Sequence, residues 1–166
     1  SVVAASDVYK RQKLDEEVKN YEDWEYMTNI INNSKKIICI NGAFYHYITR
    51  IGSASKSKVN DNKMTAFIAA KKVKSLLKEM DEYKNELEVI DVLVLLRIMV
   101  IYSIYGVESK EYKNILKNIA RTNFNKSIKS KILNKKQKLY IILISINPII
   151  YRLMYRVKNR RKLYEK

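Results

Sequence analysis

The stretch "DEYKNELEVIDVLVLLRIMVIYSIYG", residues 81–106, decides how this chain folds. Its centre is apolar nearly all round, the pattern of a helix buried on every side. The spacing predicts a helix over about 82–105, closed by Gly106. Glu88, Asp91 and Arg97 interrupt the run, which argues against a membrane span, since a span needs about 20 predominantly apolar residues.

Helical patterns continue on both sides. "DNKMTAFIAAKKVKSLLKEM", residues 61–80, carries Met64, Phe67, Ile68, Val73, Leu76, Leu77 and Met80 as a stripe. "SKEYKNILKNIARTNF", residues 109–124, is amphipathic, and so is a segment over about 135–164 that Pro148 is expected to kink. Within it, residues 139–151 are uncharged but number only 13, too few to span a bilayer. Lys135, Lys136, Lys138, Arg152, Arg156, Lys158, Arg160, Arg161 and Lys162 surround them. An apolar face with basic flanks suits a helix lying on an anionic membrane surface. The competing reading, a terminal helix packed on its own domain with a solvated basic tail, weighs more because lysine is abundant everywhere in the chain.

The 166 residues suffice for one modest domain, and the formal charge of +16 invites nucleic acid or membrane as partner. The same excess follows from A/T-rich codons, which encode Lys, Asn, Ile and Tyr together, so charge alone does not imply nucleic-acid binding. The single cysteine, Cys39, excludes an internal disulfide and a CxxC centre; in "KKIICING" it reads as a buried structural thiol. With three glycines and neither a Walker A loop nor a GxGxxG, the sequence holds no Gly-rich nucleotide loop. Residues 1–12, "SVVAASDVYKRQ", have no clear period and are expected to be a non-native leader, with the frame entering mid-gene and the chain being the C-terminal part of a longer protein.

Residues 13–58 form the remaining block. Tyr21, Trp24, Met27, Ile30 and Ile31 fall on one helical face that ends at Asn33-Ser34. "KKIICIN" reads as a short buried strand through Ile37, Ile38 and Ile40, Asn41-Gly42 as a turn, and "AFYHYITR" as a second strand. "IGSASKSK" is a small-residue loop. At the start of the helix, Asn20 is a good N-cap and would set Asp23 at the third helical position, where its carboxylate can reach back to the cap amide. Acidic side chains in a first turn are favoured by about 0.3–1 kcal/mol, so Glu22 and Asp23 have a sufficient structural explanation on spacing alone.

The whole run "YEDWEYMTNIINNSKKIICINGAFYHYITRIGSASKS" resembles the end of the catalytic domain of family 2 glycosyltransferases, which have the GT-A fold. The resembling parts, in order, are Glu22-Asp23-Trp24-Glu25, the apolar residues 37–40 after a basic pair, Tyr45-His46-Tyr47, Arg50, and Gly52-Ser53-Ala54-Ser55. The resemblance covers residues 13–58 and implies a mostly α chain with a small β element: the truncated end of a GT-A α/β domain, followed over 59–166 by a helical extension. It implies Asp23 as the general base of inverting transfer, with Glu22 orienting the acceptor. Proton removal from an acceptor hydroxyl of this kind typically contributes 10²–10⁴-fold. Trp24 would wall the acceptor pocket, although a core tryptophan fits the same position. Arg50, Ser53 and Ser55 would suit the leaving diphosphate, and His46 is a candidate near the metal.

The expected partners are a nucleotide-sugar donor and a glycan acceptor, in bacterial surface polysaccharide synthesis, with no nucleic acid. The expected location is the cytoplasm, with peripheral contact at the inner face of the cell membrane as an additional option. Mg²⁺ or Mn²⁺ would be held mainly by an Asp-x-Asp element, which does not occur in this sequence, so the fragment alone is expected to be inactive. The alternative is a stand-alone basic helical module that binds anionic membrane or nucleic acid.

Overall fold

The structure is a computed structural model, and it describes residues 16–38, 41–42, 56–78 and 80–160. The described chain is mostly helical. Its helices are α1 (Glu22–Asn33), α2 (Asp61–Met64), α3 (Ala66–Leu77), α4 (Lys84–Tyr105), α5 (Lys110–Thr122), α6 (Phe124–Lys129), α7 (Lys135–Ile146) and α8 (Pro148–Lys158), with a 3₁₀ turn at Asp81–Tyr83 before α4.

α4 is the axis of the fold. Val89, Val92, Val94, Leu95, Ile98, Met99, Tyr102 and Ser103 are buried along it, and α3, α5, α6, α7 and α8 all pack against it. Leu116, Ala120, Ile141, Ile144 and Tyr151 from the other helices, with Leu133 from the turn between α6 and α7, close the core. The charges that interrupt the run lie at its margin: Glu88 and Arg97 are exposed, and Asp91 pairs with Lys74 of α3. No described helix is long and apolar enough to cross a membrane.

The C-terminal end of α4 is tied twice. Gly106 stands at φ 86°, ψ −163°, a conformation open essentially to glycine alone. Beyond it, Val59 and Val107 form a parallel bridge, with Val59 N donating to Gly106 O at 3.0 Å and Glu108 N to Val59 O at 3.0 Å. From α8, Arg156 Nε donates to Ser103 O at 2.9 Å, which satisfies a carbonyl that the helix itself leaves open.

Four expectations change. Among the described residues there is no strand, only the Val59–Val107 bridge. Ile37 and Ile38, expected in a buried strand, are irregular and 60% and 71% exposed; a strand needs a neighbour to pair with, and among the described residues they have none. Ile40, Cys39 and the second expected strand lie outside the described residues. In α3 the core side is Ala66, Ala69, Ala70 and Val73, while Ile68 is exposed; small side chains face the core where α3 meets α4. Pro148 does not kink one long helix. It occupies the first turn of α8, where its missing N–H costs nothing, and Asn147 caps that helix through Oδ1, accepting from Ile149 N at 2.9 Å.

Candidate functional site

The acidic pair opens α1, but the cap differs from the expectation. Tyr21, not Asn20, precedes the helix, in a left-handed conformation at φ 64°. The Asn20 N–H that a reaching Asp23 carboxylate would accept from is already given to Thr65 Oγ1 at 3.1 Å, and Lys19 N donates to the same hydroxyl at 2.9 Å. Thr65 in turn donates to Asn62 O at 2.6 Å. One hydroxyl at the α2–α3 junction therefore fixes the chain entering α1, and the Asn20 side chain is left with a buried Nδ2 that has no partner. Glu22, Asp23 and Glu25 form an acidic first turn, and Glu22 and Asp23 are exposed. The helix dipole favours negative charge at that end.

Trp24 is half-buried and turns inward. Its ring lies 4.5 Å from that of Tyr21, centroid to centroid. Together they form one wall of a cavity of about 640 Å³, whose other walls include Leu96 and Arg97 of α4, Gln137 and Tyr140 of α7 and Tyr151 of α8. Tyr140 and Tyr151 meet edge to face at 5.0 Å and 82°. Burial, and then the neighbouring Tyr140 and Tyr155, push the Tyr151 phenol well above its ordinary pKa, so it stays protonated. A space of this size, mostly apolar with a few polar groups, has the character of a small-molecule site. Arg97 and Gln137 supply its polar groups beside the aromatic rings.

The residues that complete this cavity were not found by sequence reading. Arg97 read only as an interruption of the central helix, and Tyr140 and Tyr151 as parts of an apolar run. They meet Trp24 only through the packing of α4, α7 and α8, which no local pattern encodes. Arg50, Ser53, Ser55 and His46 lie outside the described residues, so their relation to Asp23 is not part of this geometry. Among the described residues no cluster of three or more His, Cys, Asp or Glu side chains could hold a metal ion. No protein-family model, curated protein or solved structure matches the chain.

Proposed function

We propose that the chain is the C-terminal part of an inverting glycosyltransferase, with Asp23 as general base. One observation carries the reading: two solvent-facing carboxylates open a helix directly before a tryptophan that lines an aromatic cavity. In this reaction an acceptor hydroxyl attacks the anomeric carbon of a nucleotide-sugar while Asp23 takes its proton. The bond from that carbon to the diphosphate breaks, and the diphosphate leaves with the electron pair. The configuration at carbon inverts. Trp24, with Tyr21 and Tyr140, would hold the acceptor ring, and Glu22 would orient its hydroxyl. The divalent metal and the nucleotide-binding half belong to the longer parent, and Arg50, Ser53 and Ser55 would meet the diphosphate there.

Two measurements test the reading. In the parent, recovered by extending the reading frame upstream of Lys13, Asp23→Asn is expected to lower transfer by about 10²–10⁴-fold with an unchanged melting curve. Full activity in that variant removes Asp23 from the chemistry. In the chain itself, Trp24 is the only tryptophan, so its fluorescence reports on the cavity. Oligosaccharide is expected to shift that emission, and Tyr140→Ala to weaken the response. Emission indifferent to every sugar tried would remove the acceptor role from Trp24.

A further inference from the structure

The last described helix has two apolar sides, and only one of them meets the described body of the protein. α8 buries Pro148 and Tyr151 against the body. Steps of three and four set Ile149, Ile150, Leu153 and Val157 on the opposite side, where they are 42%, 42%, 59% and 76% exposed. Isolated exposed aliphatic residues are ordinary on a protein surface, but four in one row on a single helix mark an interaction face. Lys158 and Arg160 are exposed beside this row, while the Arg156 guanidinium is turned to the body by its bonds to Ser103 O and Ile104 O. Lys158 falls to one side of it.

We propose that this face of α8 docks on an anionic lipid bilayer, with the helix axis in the membrane plane. The helix has 11 residues, too few to span a bilayer, and enough to lie in the headgroup region with its aliphatic row dipped toward the acyl chains. The basic rim then sits level with lipid phosphates and carboxylates. The charge pattern selects among occupants. A second copy would bring Lys158 and Arg160 against their own like charges, in a chain of net charge +16. Nucleic acid offers phosphates to the rim but nothing to cover four aliphatic side chains. An anionic bilayer satisfies both parts of the face. The proposal does not depend on the transferase reading, and a chain that binds vesicles but transfers no sugar would separate the two.

The test is co-sedimentation of the full chain with neutral phosphatidylcholine vesicles and with vesicles enriched in phosphatidylserine, near physiological salt. Wild type is expected on the anionic vesicles and not on the neutral ones. The pair Leu153→Ser and Val157→Ser alters two exposed side chains, so the circular dichroism spectrum and melting curve should stay unchanged, while vesicle binding falls by about tenfold or more. The pair Lys158→Ala and Arg160→Ala should weaken binding by about twenty-five-fold, from roughly fivefold for each basic residue near an anionic surface. Three outcomes overturn the proposal. One is wild-type binding to neither vesicle. Another is serine-pair binding as tight as wild type, which would leave only the general attraction of a basic chain. The third is lipid-independent self-association that the serine pair abolishes, which would assign the face to a second copy.

Discussion

α1 and α3 pack against each other and have the same length, 12 residues, yet they hold the molecule very differently. α3 turns Ala66, Ala69, Ala70 and Val73 into the core. No residue of α1 is buried, and Met27, Ile30 and Ile31 are 47%, 42% and 49% exposed. α1 is attached instead by Val18, by the half-buried rings of Tyr21 and Trp24, and by the two amide bonds to Thr65. The contrast separates apolarity from burial. The aliphatic side chains of α1 stay exposed, whereas small side chains of α3 are the ones the fold rests on. The acidic pair of the proposed active site thus lies on the more lightly anchored of the two elements.

That contrast can be tested by substitution. The largest effect is expected in the body: Ile98→Ala, at a fully buried site on α4, should cost about 2–5 kcal/mol in denaturant unfolding. A small cost there would mean that the core is less closely packed than its burial indicates. Gly106→Ala should cost about 1–3 kcal/mol through backbone conformation alone, since a Cβ there would sit 3.7 Å from the Arg152 guanidinium, at ordinary contact distance.

Thr65→Val keeps the shape of the side chain and removes the acceptor of two amides. It should loosen the 16–33 segment by about 1–3 kcal/mol, seen as faster hydrogen exchange in α1 with body amides unchanged. Uniformly faster exchange would show that arm and body unfold together, and would break the comparison.

Tyr151→Phe should matter chiefly in alkali. The Tyr151 phenol is raised in the fold, so its contribution is complete below the unfolded value of about 10 and is lost as pH climbs past it through the folded value. The Phe variant should therefore begin base-induced unfolding at higher pH than wild type. Tyr83 and Tyr112 are raised as well, by hydrogen bonds to Glu82 and Asp61, so part of the slope should remain. The smallest effect belongs to the arm surface. Met27→Ser or Ile31→Ser should change stability by less than about 0.5 kcal/mol.

The legible parts of the fold were those whose determinants are local. α4 could be read because its apolar residues surround the axis and Gly106 stops it. The start of α5 at Ser109 carries its cap within a few residues; at Asn147-Pro148 the proline was read as a kink, and the Asn147 cap that makes it the start of a new helix was missed. The start of α1 could not be read, because the partner that takes the Asn20 amide lies 45 residues away. The apolar steps of α8 marked a face without saying which side would be covered, since Tyr151 and Leu153 look alike to a periodicity. Ile37 and Ile38 had strand chemistry without a strand to pair with among the described residues. Of the candidate site, Glu22, Asp23 and Trp24 were visible as a motif. The cavity that Trp24 faces was not, because Arg97, Tyr140 and Tyr151 reach it from three different helices.

The Arg156 bond to Ser103 O joins positions 53 apart in the chain. During synthesis at about 5–20 residues per second, the arginine follows its carbonyl partner by roughly 3–10 s. For that interval the last turn of the central helix lacks its clasp, with Tyr102 not yet covered by Arg152. A nascent chain of this protein should therefore hold an unfinished hydrophobic axis until its final helix emerges, a period in which a chaperone could bind the α4 C-terminus and the finished molecule could not.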